Sequence, residues 1–229
     1  AEGPERLRLS ATDLYLGVSA VVGADIKCGG TIAVAARTLF DIVKALPDGD
    51  ITLKVGENHA VTLTHGKISY KIPGLPGEDF PPLPNPQDAD FATLDANLLG
   101  ELVALTAYSM SSDDTRPHLA GTLFEGDGKR VRMVTTDGHR LSKAEGQLAE
   151  GAPMVNFSML VPHKGVGELK KVIDDARQDG KGDSGPPTID IATAAGCAFF
   201  RRADLQLSVK LADEQFPPYD KVIPQNQTK

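Results

Sequence analysis

The chain has 229 residues, 41% of them hydrophobic and 24% charged, with a net charge of −7 and no tryptophan. That length accommodates one or two domains. No apolar run approaches the roughly 18 residues of a membrane span, the acidic balance excludes a uniformly basic nucleic-acid binder, though not a local basic stripe, and the aromatic content argues against a platform for stacked bases.

The N-terminal stretch AEGPERLRLS has neither the basic nor the apolar region of a secretory signal. RLRLSATDLYLGVSA then reads as paired strands. VAARTLFDIVKAL, residues 34–46, has helical spacing and sets Arg37 and Lys44 on one face, since seven residues make two turns. DITLKV, AVTLTH and KISYKI follow as strands, and EDFPP closes the segment. Phe-Pro-Pro cannot continue a strand ladder, because proline lacks the N–H donor. Phe80 is therefore expected to plug a core where the strand stops, and so is Phe216 in the later DEQFPPYD.

TLDANLLGELVALTAYSMS places Leu94, Leu98, Leu102 and Leu105 at helical spacing, with Thr93 or Asp95 as the cap. Strands with Asp-Gly turns are expected through HLAGTLFEGDGKRVRMVTTDGHRLSKAE. MVNFSMLVP leads to a helix over Lys164–Arg177, and TIDIAT and CAFFRRADLQLSVKL complete the series as strands. Helix, strands, helix, strands is an α+β pattern on antiparallel sheet.

The two halves repeat. Arg6, Arg8, Thr12 and Asp13 fall on Arg130, Arg132, Thr136 and Asp137 at an offset of 124, the helix 34–46 falls on VPHKGVGELKKVI at 127, and the two FPP ends lie 136 apart. Growing offsets fit surface insertions such as DGKGDSGPP, residues 179–187. A unit of this length is far longer than a solenoid repeat. Only five residues precede Arg6, where the second copy has about 35, so the first copy is expected to be incomplete, lacking its N-terminal helix and strand and exposing the sheet they would cover.

No phosphate-binding, dinucleotide, zinc-protease or serine-hydrolase motif is present, and His59, His65, His118, His139 and His163 lack metal-ligand spacing. Neither an enzyme nor a cofactor is expected. Cys28 and Cys197 are expected as buried thiols rather than a disulfide, which suits a cytoplasmic location. TTDGHRLS, around Asp137, His139 and Arg140, reads as a hairpin turn, a binding surface or, least readily, a catalytic site. Its Thr-Asp recurs in the first copy while Gly-His-Arg does not, so the unshared part is where a site would lie.

VAARTLFDIVKALP, LPGEDFPPLP, TTDGHRLSKAE, VPHKGVGELKK and FPPYDKVIP resemble, in the same order, the bacterial sliding clamp family, the beta subunit of DNA polymerase III. That resemblance implies repeated clamp domains, each of two helices packed on antiparallel sheets, with residues 1–90 as an incomplete first copy, 91–224 as a complete second and 225–229 as the start of a linker to a third. It implies a processivity factor: a head-to-tail homodimer encircling duplex DNA without reading sequence. Arg37, Lys44, His163 and Lys164 would face DNA, and Arg116 would lie in a loop approaching it, with Pro117 and His118 where relatives carry aromatics. A pocket for short motifs of the polymerase III catalytic subunit, the clamp loader and repair polymerases would comprise Leu119, Thr136, Gly138, His139, Arg140, Leu141, Pro217, Lys221 and Val222. Tyr70 and Ile72 would form one side of the dimer contact. An independent two-domain scaffold that does not bind DNA is the rival reading.

Overall fold

The computed structural model describes residues 5–87, 89–113, 115–179 and 186–223. The middle of the expected insertion, 180–185, and the expected linker, 225–229, lie outside the described residues. The chain divides into two compact units, Ala1–Leu14 with Ala20–Leu83, and Tyr15–Ser19 with Pro84–Lys229. Both mix short helices with antiparallel sheet, as the sequence pattern predicts. No helix among the described residues is long and apolar enough to cross a membrane.

In chain order the first part contains strands β1 (Arg6–Thr12), β2 (Leu16–Gly23) and β3 (Ile32–Val34), helix α1 (Ala36–Ala45), and strands β4 (Thr52–Val55), β5 (Val61–His65), β6 (Ile68–Ile72) and β7 (Gly74–Pro76). β4, β5 and β6 form an antiparallel sheet with β6 at one edge, and β3 pairs with β7. α1 turns Leu39, Ile42 and Leu46 toward a small core of Val61, Leu63 and Ile72. It is shorter than the expected 34–46 at both ends. Val34 is still extended in β3, and Leu46, which precedes Pro47, is held extended by the proline after it. Phe40 and Val43 of α1 and Leu53 and Val55 of β4 stay exposed.

Ile72 departs from expectation. It sits opposite Val61 in the core and is 1% exposed, so it offers no surface, whereas Tyr70 on the same strand is 41% exposed. Cys28 departs too: it is exposed in the irregular stretch between β2 and β3, while Cys197 is buried as expected.

The second unit comprises β8 (Ala92–Asp95), α2 (Ala96–Thr106), β9 (Gly121–Gly128), β10 (Arg130–Thr136), β11 (Leu141–Gln147), β12 (Val155–Pro162), α3 (His163–Asp179), β13 (Thr188–Ala194), β14 (Cys197–Arg202) and β15 (Leu205–Lys210). One sheet runs β11-β10-β9-β12. The other runs β15-β14-β13-β8, with Tyr15–Ser19 of β2 beside β15, where the Lys210 N–H donates to the Tyr15 carbonyl over 2.8 Å. Phe124 from the first sheet, Phe200 from the second, Leu99 and Leu102 of α2 and Leu169 and Ile173 of α3 fill a shared core. Asp95 is the cap of α2, its carboxylate accepting the Asn97 and Leu98 N–H groups at 2.6 and 3.3 Å. Leu94 therefore lies before the helix, in β8, and Thr93 donates instead to Asp190 at 2.7 Å.

The Phe-Pro-Pro phenylalanines are not core plugs, since Phe80 and Phe216 are only half-buried. Phe80 closes a single 3₁₀ turn, its N–H donating to the Gly77 carbonyl. Phe216 meets the Tyr219 ring edge-on at 6.3 Å between centroids, and Tyr219 is the buried member.

The internal repeat is visible in hydrogen bonds. After β1 the Leu14 N–H donates to the Thr12 hydroxyl at 3.0 Å, and after β10 the Gly138 N–H donates to the Thr136 hydroxyl at 3.1 Å. Both residues have positive φ, 76° for Leu14 and 92° for Gly138. The β3–β7 pairing also has a counterpart, in the Ala212 N–H donating to the Leu160 carbonyl. Leu14 adopts at a steric cost the backbone that Gly138 adopts freely. Leu14→Gly should therefore leave stability unchanged or raise it by up to about 1 kcal/mol in urea unfolding. A clear loss would show that the exposed leucine side chain contributes more than the strained backbone costs.

Candidate functional site

The hairpin tip between β10 and β11 is built around one carboxylate. The register pairs Thr136 with Leu141 and leaves Asp137–Arg140 as a four-residue tip, longer than the two-residue Asp-Gly turn expected. Asp137 Oδ1 accepts the His139 and Arg140 N–H groups at 2.9 and 3.0 Å, and Oδ2 accepts Arg140 Nε at 2.9 Å. The Thr136 hydroxyl donates to the Arg140 carbonyl at 2.7 Å. Donation by the Arg140 and His139 amides, with a further contribution from the Arg140 guanidinium, lowers the Asp137 pKa from 3.8 to about 2.

The tip is fastened to the end of α2 at three points. Thr135 Oγ donates to the Thr106 carbonyl at 2.6 Å, Ser142 shares a 2.7 Å hydrogen bond with Ser109, and the Arg140 guanidinium lies 5.7 Å from the centre of the Tyr108 ring. The loop before β9 forms a second wall. Asp113 accepts the Thr115 hydroxyl and N–H at 2.6 and 3.0 Å and Arg116 Nε at 2.9 Å; these bonds, the Thr115 hydroxyl foremost, lower its pKa. Arg116 Nη1 donates to the Asp137 carbonyl at 3.3 Å, bridging loop and tip. A Cβ on Gly138 would lie at ordinary contact distance from Arg116 Nη1 and Leu119 Cδ1, 3.4 and 4.0 Å, so it is the positive φ of 92° rather than lack of space that favours glycine here. Leu119 is 6% exposed and forms a floor rather than a rim.

The third wall is the segment 216–222. β10 alternates, with Val131, Met133 and Thr135 turned to the core and Arg132, Val134 and Thr136 to the outer face, opposite Glu145, Lys143 and Leu141 of β11. Tyr219 lies on that outer face. Its hydroxyl donates to Glu125 at 3.0 Å and accepts from Arg132 at 3.4 Å, and Lys143 Nζ stands 5.5 Å from its ring centre. The segment therefore rests on the sheet through Tyr219, and within it Pro217 is half-buried while Lys221 and Val222 are exposed. Leu119, Thr136, Gly138, His139, Arg140 and Leu141 thus form one neighbourhood, with the 216–222 segment anchored on the same sheet.

A separate cleft of about 430 Å³ runs between α2 and β11, lined by Leu98, Leu102, Leu105, Tyr108, Leu141 and Glu145. Of the expected pocket residues it takes in Leu141 alone. Tyr108 and Tyr219 were missed from the sequence, although each is an aromatic directly beside a motif already singled out.

The expected cationic residues sit on exposed helix faces, several with their charge engaged. Arg37 is 87% exposed but pairs with Asp41 at 2.9 Å, and Lys44 stands 5.6 Å from the Phe40 ring centre. His163 and Lys164 open α3 on an exposed stripe that continues to Lys170 and Lys171, Lys171 being paired with Glu168 at 2.8 Å. Arg116 is committed to Asp113 and Asp137. Among the described residues no group of three or more His, Cys, Asp or Glu could hold a metal ion.

The family model described as "DNA polymerase III beta subunit, central domain" matches residues 93–218, and that described as "DNA polymerase III beta subunit, N-terminal domain" matches residues 3–84. The chain is 33% identical to the beta sliding clamp of Caulobacter vibrioides over 235 residues, covering 100% of this chain and 60% of that protein, and 33% identical to the beta sliding clamp of Escherichia coli over 225 residues, covering 97% and 58%. Among solved structures, the DNA polymerase sliding clamp from Caulobacter crescentus aligns with a TM-score of 0.88 at 32% identity, over 100% of this chain and 60% of that one. The chain therefore spans about 60% of the length of these relatives.

Because the folded pKa of Asp137 lies below its ordinary 3.8, the tip's carboxylate bonds are fully present above that value and are lost as pH falls toward about 2. In an NMR titration the Arg140 amide signal should show an acid transition with a midpoint near 2 rather than near 3.8. Asp137→Asn should abolish the transition, and a midpoint near 3.8 in the unaltered chain would refute the described bonding.

Proposed function

The chain belongs to the DNA polymerase III beta-subunit family, and from that premise we propose that it serves in a ring-shaped sliding clamp, the processivity factor that encircles duplex DNA and tethers a polymerase to it. Tethering raises effective concentration without chemistry at a catalytic site. The proposed partners are double-stranded DNA and the short peptide motifs of the polymerase III catalytic subunit, the clamp loader and repair polymerases. The assembly is a head-to-tail homodimer, with Tyr70 at its contact, working in the cytoplasm. The proposed repeat boundaries are 1–90 and 91–224.

The observation that carries the peptide part is the pre-ordered tip. Its backbone is already bonded by Asp137 and Thr136, so a ligand need not order it. Leu119 and Leu141 supply apolar surface beside it, and Pro217 and Val222 extend that surface. An extended peptide would place an apolar anchor there, with Thr136, His139 and Arg140 offering polar groups at the rim. Leu141→Ala should cost roughly 2 kcal/mol of peptide affinity, about 30-fold in Kd, with Pro217→Ala acting in the same direction. Peptide titration followed by NMR measures this, and chemical-shift changes centred on α1 would sink the placement.

For DNA, each unit presents its own basic helix face, Arg37 and Lys44 on α1 and His163 and Lys164 on α3. With a net charge of −7 and Arg37 paired to Asp41, backbone contacts should be few. Binding to linear duplex should be weak and indifferent to sequence, with a slope of about −3 in log K against log salt, matching three cationic contacts. A sequence-selective complex that salt does not weaken would refute it.

A further inference from the structure

Tyr219 is the buried residue of the segment that follows β15, and at 7% exposure it is far more enclosed than Val222 at 68%. Around it the outer face of β9–β10–β11 carries a compact charge cluster. Arg132 lies between Glu125 and Glu145, with Nε 3.8 and 3.9 Å from their carboxylates, and its Nη2 is 3.6 Å from Asp127. The Tyr219 hydroxyl joins this cluster as donor to Glu125 and acceptor from Arg132, and burial pushes the phenol above its ordinary pKa. The single 3₁₀ turn of the segment is built on the same residue: the Val222 N–H donates to the Tyr219 carbonyl at 3.1 Å, and the Lys221 N–H to the Pro218 carbonyl at 3.2 Å.

We propose that Tyr219, held by Glu125 and Arg132, is a positioning residue for the peptide-binding surface: it fixes Pro217, Lys221 and Val222 against the β10–β11 hairpin and so sets ligand affinity without touching the ligand. The proposal rests on the peptide-binding reading above. The middle and the close of the chain's second repeat meet in this contact, β9–β10 from the one and the Phe-Pro-Pro segment from the other. The phenol hydroxyl, bonded to Glu125 and Arg132, is thus the polar part of the contact that holds the third wall. A hydrogen bond to a charged acceptor is strong enough for the purpose, and the ring, packed under Lys143, supplies the apolar part of the contact.

The test uses the full 229-residue chain and N-acetyl-Leu-Phe amide as a minimal apolar probe. Tyr219→Phe keeps the ring and loses the hydroxyl. Without ligand, the Lys221 and Val222 amide signals should shift and broaden while the melting temperature of the chain holds. The Kd for the probe should rise about tenfold. Glu125→Ala should behave alike, whereas Glu125→Gln retains a neutral acceptor oxygen and should recover part of the lost affinity, a rescue that general destabilisation would not give. Unchanged Lys221 and Val222 amides in Tyr219→Phe would overturn the proposal whatever the probe does. Perturbed amides with probe-induced shifts lying away from the hairpin tip would overturn the role in binding through failure of the peptide reading itself, leaving only a local structural contact.

Discussion

Strand β10 has to keep two faces apart, and the second unit is organised around that constraint. Its odd residues, Val131, Met133 and Thr135, enter the core beneath α2 and α3, and its even residues meet the outer segment. A slip of one residue would exchange Arg132 with Met133, burying a guanidinium among Phe124, Leu99 and Ile173 and exposing the sulfur. The register is therefore strongly specified, and the tip at Asp137–Arg140 inherits its position from it. Thr135 pulls the inner face onto the Thr106 carbonyl while Arg132 binds Tyr219 on the outer face, so the hairpin is held from both sides. A binding surface on such a hairpin is rigid for the same reason the core is well packed.

The two repeats show what duplication preserved and what it left free to change. The Thr hydroxyl under a left-handed residue is common to both turns, Thr12 under Leu14 and Thr136 under Gly138. It belongs to the fold, because it satisfies a backbone N–H where the chain must reverse. Beyond that hydroxyl the two turns diverge. Gly138 takes the left-handed backbone without the steric cost that Leu14 bears, and His139 and Arg140 are ordered by Asp137.

Much of this was legible in the sequence. Helical spacing located all three helices, and the recurrence of Arg-x-Arg, Thr-Asp and Phe-Pro-Pro exposed the repeat. Local chemistry set the boundaries that periodicity misjudged: Asp95 rather than Thr93 caps α2, because Thr93 is drawn into the sheet by Asp190, and Pro47 ends α1 one residue early. Ile72 misled because strand alternation assigns a residue to a face without saying which end of that face a helix covers. Phe80 and Phe216 misled in a different way. The strands before them end earlier, β7 at Pro76 and β15 at Lys210, so neither proline pair stops a ladder, and the residue buried beside the second pair is Tyr219, on the outer face of the sheet. Its hydroxyl finds Arg132 and Glu125, 87 and 94 residues away, only through tertiary pairing that spacing cannot display.

The cations point the same way. Counting basic residues on exposed helix faces gives a footprint for phosphate, yet a guanidinium already bonded to a carboxylate has less to gain from one. Arg37 has Asp41 one turn away, Lys171 has Glu168, and Arg116 gives two of its N–H donors to Asp113 and the Asp137 carbonyl. Exposed pairs of this kind are individually weak, so a phosphate can compete for Arg37 and Lys171 at little cost. Arg116 is different, since its second bond joins the loop before β9 to the hairpin tip. A phosphate at Arg116 would therefore use the guanidinium N–H groups left over from these two bonds, whereas Arg37 and Lys171 would exchange one weak exposed partner for another.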